Sequence, residues 1–306
     1  MRKAKNKLIK MPKLSHKEFK ENLKTIASSW FLENGYKVDI NNTHMLHKKE
    51  EWRHNIILKE VNEYIEEHSI NLHKYFHNGL SSQALALNLI GPLKTRRDLS
   101  ILIDVIYKDR KEKKPLIDDV KFEYEDRTVF NESKQHPTSI DITLFKDKTP
   151  KIFIECKLIE DGFGGCSQVP KRCKGDKNPI SNFNLCYLHK KAQRKYWILM
   201  EEYGFLKELK TEKTCIFKEH YQFFREVLFS LKNNGLFVLL SDERNPIFHR
   251  NYKRTEIGLM ETLLKYIPPK HKNKIISISI QDVVESIKKS GEHQSWIGKF
   301  ENKYGL

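Results

Sequence analysis

Apolar positions recur at helical spacing through the first third of the chain and at strand spacing through its middle. A helix is expected over Lys17–Asn34. A second is expected over Glu50–Glu67, where Ile56, Ile57, Val61, Tyr64 and Ile65 fall on one face. Ser81-Ser82-Gln83 leads into Ala84-Leu85-Ala86-Leu87-Asn88-Leu89-Ile90. That pattern predicts a small-residue helix opened by a serine cap and closed at Gly91-Pro92. A fourth helix is expected over Arg96–Tyr107.

The period then changes. Val120-Lys121-Phe122-Glu123-Tyr124-Glu125 alternates as a strand, and residues 139–146 and 151–157 follow as two more, joined by a short turn at Lys146–Pro150. Gly162, Gly164 and Gly165 mark a loop. A helix is expected over 219–232, strands over 236–241 and Ile275–Ile280, and a helix over Gln281–Ser290. Helices, a three-strand meander, then alternating helix and strand predict an α/β fold: a mixed central sheet flanked by helices, with a helical extension at the N-terminus.

Charge narrows the partners. The chain has 306 residues, with 56 Lys and Arg against 40 Asp and Glu, a formal net charge of +16. That bias points to a polyanion, with double-stranded DNA first and an anionic membrane surface second. Residues 1–24 carry nine Lys/Arg against two Glu, a basic arm suited to phosphate contacts. The longest strand-like apolar run, Leu236–Leu240, is far short of a membrane span, and no apolar region follows the basic N-terminus as in a signal peptide. Five cysteines, an odd and sparse count, fit a reducing, cytoplasmic setting.

The densest chemistry lies on the second and third strands. Asp141 sits between Ile140 and Ile142. Glu155-Cys156-Lys157 ends the apolar run Ile152-Phe153-Ile154, and strand alternation projects Glu155 and Lys157 to one side. Glu-x-Lys also occurs at Glu18, Glu112 and Glu301, so the buried setting is what distinguishes this copy. Ionised groups at the end of a buried strand are costly unless they serve something. Two carboxylates binding Mg²⁺ supply a reason, with Lys157 placed to orient water or offset charge on a phosphate. The bland alternative is a partly exposed Glu155–Lys157 pair with Asp141 nearby.

Asp141, thirteen intervening residues and Glu155-Cys156-Lys157 together resemble the PD-(D/E)xK nuclease superfamily, whose fold is that of type II restriction endonucleases. Ile140 stands where the name-giving pattern has proline. The resemblance covers about residues 75–200, and the expected organisation is a basic arm and helical region at 1–74, then a restriction-endonuclease-like domain over residues 75–306 with a cysteine-containing basic insertion at 160–196. The resemblance implies Mg²⁺ or Mn²⁺ held by Asp141, Glu155 and the backbone carbonyl of Cys156. An upstream acid, either Glu123 or Glu125, would complete the set. Ser81–Asn88, Gly91-Pro92-Leu93, Gly162-Phe163-Gly164, Cys166 and Tyr196-Trp197 resemble a bacterial restriction-type branch. In that setting Ser82 and Gln83 would touch phosphate or polarise the site; an N-cap and a surface amide explain them as well. Gln193-Arg194-Lys195-Tyr196 resembles the glutamine–tyrosine motif of exonuclease-type members, with a spacing one residue different.

Residues 166–195 hold eight Lys/Arg and one Asp, and Lys171, Arg172, Lys174, Lys190, Gln193, Arg194 and Lys195 are the expected DNA contacts. The same segment carries Cys166, Cys173, Cys186 and His189, which can close a tetrahedral zinc site. An iron–sulfur cluster, or reduced cysteines without metal, are the alternatives. Cys215 reads as a core residue. These features favour a metal-dependent DNA endonuclease of restriction type, in which cutting both strands at a symmetric site suits a homodimer. The alternatives are a non-catalytic DNA-binding protein on the same fold and a repair or recombination exonuclease.

Overall fold

The computed structural model describes residues 14–132, 137–253 and 255–306. The expected N-terminal arm therefore lies largely outside the described residues. In chain order come α1 (His16–Glu33), α2 (Lys59–Glu67), α3 (Ser82–Thr95) and α4 (Ser100–Ile106), then β1 (Asp119–Asp126), β2 (Thr138–Lys146) and β3 (Thr149–Lys157). After them come α5 (Tyr187–Lys190), α6 (Tyr196–Glu202), α7 (Phe205–Glu208), α8 (Phe217–Lys232) and β4 (Leu236–Ser241). The chain finishes with α9 (Pro246–His249), α10 (Leu259–Leu264), β5 (Ile275–Ser279), α11 (Ile280–Ser290) and α12 (Gln294–Tyr304).

The strands form one sheet in the order β1-β2-β3-β4-β5. The first three run antiparallel, whereas β4 and β5 run parallel to β3. This is the mixed α/β sheet that the pattern predicted. The β2–β3 turn is two residues long: Asp147 and Lys148 have φ of 49° and 61°, the left-handed pair that matches strand twist in tight hairpins.

Strand alternation divides the core in two. Ile152, Ile154 and Cys156 of β3, with Leu236, Val238 and Leu240 of β4, pack against α1–α4, α11 and α12. Phe153, Phe237 and Leu239 face the other way, onto α6–α10. Both faces being covered explains the nearly unbroken apolar runs of β3 and β4. Helix α1, opened by a Ser15–Glu18 capping box, buries Phe19, Leu23 and Ala27 in the same core as the sheet. No helix among the described residues is long and apolar enough to cross a membrane.

Three helical expectations need correction. Glu50–Glu67 is not one helix. It is a 3-10 turn at Lys49–Asn55 followed by α2, because the backbone N–H of Ile57 is captured by the Asn88 side chain at 2.8 Å. Helix α3 does not close at Gly91-Pro92 but runs on to Thr95. Residues 83–93 of it are all buried, and a Cβ on Gly91 would sit 2.9 Å from Val61 Cγ1, so glycine there permits close helix packing. Helix α4 starts at Ser100 rather than Arg96, since Arg97 adopts a left-handed φ of 61°.

Candidate active site

The strand register assembles the carboxylates. β1 pairs Phe122 with Ile142 and Tyr124 with Ile140, which sets Glu123 opposite Asp141. β2 pairs Ile142 with Ile154, which sets Asp141 opposite Glu155 one step further on. Glu123, Asp141 and Glu155 thus form a row across three adjacent strands, on the sheet face that carries Phe153. Glu123 holds a φ of 52°, a left-handed backbone conformation that costs a non-glycine residue roughly 1–2 kcal/mol. Glu125 goes elsewhere: its carboxylate pairs with Arg127 at 3.0 Å.

Each member is fixed by neighbours. The Cys156 backbone N–H donates to Asp141 Oδ2 at 2.8 Å, while the Cys156 side chain lies in the opposite core. Gln83 Nε2 donates to Glu123 Oε1 at 2.7 Å and Ser139 Oγ donates to its Oε2 at 3.0 Å. Lys157 Nζ lies 2.6 Å from Glu155 Oε1. Gln222 of α8 spans that pair, donating from Nε2 to Glu155 Oε1 at 2.7 Å and accepting from Lys157 Nζ at 2.9 Å. Glu155 is only 2% exposed, and its Oε2 is buried without a hydrogen-bond partner.

The site carries an excess of negative charge. Burial pushes Asp141 well above the usual carboxylate range, and Glu155 and Glu123 push it further, against Lys157 and the Cys156 N–H. Burial likewise lifts Glu123 to about 7, aided by Glu155 and Glu125 and opposed by Ser139 and Gln83. Burial pulls the Lys157 ammonium down, but Glu155, Glu160 and Asp141 outweigh it and leave its pKa raised. Glu226, one turn beyond Gln222, is fully buried with neither carboxylate oxygen hydrogen-bonded. Burial and Glu155 raise it well above its ordinary value. Asp141 and Glu155 share one lysine, Glu123 beside them has only neutral donors, and one oxygen of the row has no donor. A divalent cation suits that donor set, and Glu123, Asp141 and Glu155 could hold it.

The row opens into a cleft of about 690 Å³. Ser82 and Gln83 line it from the start of α3, where Ser81, not Ser82, is the N-cap. Gln83 also accepts from the His73 N–H at 2.8 Å and donates to Asn71 O at 2.9 Å, so it ties the 71–78 loop to Glu123. His16 and Lys20 of α1 and Tyr75 of that loop line the cleft as well. His16 Nε2 is 2.9 Å from Ile159 O, which seats α1 over the end of β3. Sequence reasoning missed these residues because their placement depends on how α1 docks. It also missed Gln222. A signal existed: Gln222 and Glu226 lie four residues apart, on one face of a helix rich in phenylalanine. The glutamine–tyrosine segment lies elsewhere. Gln193 is exposed, and the Tyr196 hydroxyl is buried against Glu132 and Tyr221, at 2.5 and 2.6 Å.

Glu160 and Asp161 at the start of the insertion line this cleft, but its basic residues do not. Lys171, Lys174, Lys190 and Lys195 are exposed. Arg172 donates to the Tyr187 hydroxyl at 3.0 Å and lies over its ring, and Arg194 bonds to Asn131 O. Cys166, Cys173 and Cys186 are brought into one neighbourhood, where Cys215 joins them. His189 rests its ring on Phe183, with centroids 5.6 Å apart. Among the described residues, the group of metal-ligating side chains whose ligand atoms already lie within 4.8 Å of one another is Asp98, Glu292 and His293. There His293 Nε2 meets Asp98 Oδ2 at 2.8 Å, and its Nδ1 meets Trp296 Nε1 at 3.3 Å. Both ring nitrogens are thereby occupied in a structural contact.

Comparison with known proteins adds a family. Residues 3–305 match the family model described as Restriction Endonuclease associating with ARP. No curated protein and no solved structure matches the chain.

Proposed function

Because the chain belongs to the family described as Restriction Endonuclease associating with ARP, we propose that its cleft hydrolyses phosphodiester bonds of DNA with the help of a divalent cation. The observation that carries this reading is the row of Glu123, Asp141 and Glu155 beside Lys157, with Glu155 Oε2 left without a donor. Mg²⁺ or Mn²⁺ in that row would polarise the scissile phosphate and lower the pKa of a nearby water. The protein's own groups do the positioning. The Cys156 N–H aims Asp141, and Gln83 with Ser139 aims Glu123. Gln222 locks Lys157 against Glu155. Lys157, kept protonated by its carboxylate neighbours, offers positive charge to the phosphate oxygens as charge builds in the transition state. Lys20 and His16, which line the cleft from α1, would meet the DNA backbone, and the exposed Lys171, Lys174, Lys190 and Lys195 would extend the contact outside the cleft. Cutting both strands requires two such sites, which favours a homodimer on a duplex.

Supercoiled plasmid with Mg²⁺ tests the reading. The wild type should nick and linearise it. Asp141→Ala and Lys157→Ala should lose cleavage by about 10²-fold or more while still binding DNA in a salt-sensitive way. Undiminished cutting by both variants would refute the site. Degradation of linear DNA with closed circles spared would replace the endonuclease by an exonuclease.

A further inference from the structure

Four of the five cysteines gather on the α8 side of the sheet, although they come from three separate stretches of chain. The loop after β3 folds back on the start of α8. Cys166 N donates to Phe217 O at 2.9 Å, and Cys215 N donates to Gly175 O at 3.1 Å. Gly175 lies two residues beyond Cys173, so Cys215 is bracketed by the Cys166 and Cys173 turns. Cys186 precedes α5, and the Arg172–Tyr187 hydrogen bond of 3.0 Å holds the chain on either side of Cys173 and Cys186 together. Cys186 and Cys215 are buried, and Cys166 and Cys173 are half-buried; none forms a disulfide.

The thiols lie in one another's field. Burial first, and then Cys186, Cys166 and Cys173, together push the Cys215 thiol to about 12. Burial also raises Cys166, as do Cys186 and Cys173. Cys186 and Cys215 belong to the core on that side and Cys166 packs against it, while the segment that carries three of the four thiols is weakly structured. Between Gly164 and Lys195 the chain forms only two 3-10 turns and the four-residue α5.

We propose that Cys166, Cys173, Cys186 and Cys215 form a four-thiolate zinc site that staples the basic insertion to the N-terminal end of α8. Cys215, not His189, is the fourth ligand. Zinc binding displaces the thiol protons, four thiols and Zn²⁺ giving a tetrathiolate complex and four protons. The sulfurs are not yet at ligation spacing, so the metal draws them to ~3.8 Å apart, as Zn–S bonds of about 2.3 Å require. The site is separate from the carboxylate row and stands whether or not DNA is cleaved.

Metal analysis of the purified full chain is the test. We expect one zinc per chain in the wild type and in His189→Gln, and loss of it in Cys215→Ser. Should Cys215→Ser fold poorly, Co²⁺ loading of the wild type reads the ligands directly. Tetrahedral visible bands with strong sulfur-to-cobalt absorption in the near ultraviolet support four thiolates. A metal-free wild type, zinc retained by Cys215→Ser, a cobalt spectrum without thiolate absorption, or iron with acid-labile sulfide would each overturn it.

Discussion

Replacing Glu123 by glutamine should make the metal-free protein more stable. Glu123 is raised from its ordinary 4.5 to about 7, so the folded state holds its proton more tightly than the unfolded chain. That contribution is fully present below pH 4.5 and is lost as the pH rises through 7. By pH 8 the ionised group costs about 3 kcal/mol relative to a group that never titrates. Glutamine fits the same contacts: its carbonyl can accept from Gln83 Nε2, and the Ser139 hydroxyl can turn to accept from its amide. The raised value is already net of those two hydrogen bonds, so the gain at pH 8 stays at about 3 kcal/mol. Urea midpoints in EDTA at pH 5 and pH 8 would read the gain, to which the relief of Asp141 from its Glu123 neighbour adds, while titrations that do not feel Glu123 cancel between the two proteins. The variant should gain less than about 1 kcal/mol at pH 5 and clearly more at pH 8. Added Mg²⁺ should then favour the wild type, since only it keeps the full carboxylate row. A pH-independent difference, or a variant less stable at pH 8 in EDTA, would refute a charge-crowded site awaiting a cation.

Further outcomes follow from single contacts. Gln222→Ala should slow cleavage by roughly 10-fold to 100-fold with DNA affinity kept, because Lys157 and Glu155 lose their shared brace; single-turnover rates beside binding isotherms would separate the two. Lys174→Ala and Lys190→Ala together should weaken DNA binding without sequence preference and reduce the salt slope by about one unit per lysine, read by binding titrations over a salt series. Asn88→Ala should cost about 3 kcal/mol in urea denaturation, since it strips partners from Ile57 N–H, Asn55 O and the Tyr304 hydroxyl together.

The strands and their chemistry were legible because both rest on short-range pattern. Alternation located β1, β2 and β3. An apolar strand ending in Glu155-x-Lys157, after a strand holding Asp141, is a local statement about which groups share a face. The helices were harder where a side chain from elsewhere intervened. Asn88 breaks the helix expected over Glu50–Glu67, and close packing on Val61 carries α3 through Gly91-Pro92.

Composition and pattern alone determined the α/β class and the basic character, and they singled out Asp141, Glu155 and Lys157 as groups sharing one face, which the structure brings together. Only the tertiary structure decided between Glu123 and Glu125 as neighbour of Asp141, because register and the left-handed turn at Glu123 set that choice. It also brought Gln222 from 65 residues beyond Lys157 into hydrogen-bond contact, and seated Cys215 among the insertion cysteines. Strand periodicity is written in adjacent residues. Contacts between distant segments depend on how helices dock across a sheet, and no local pattern encodes that.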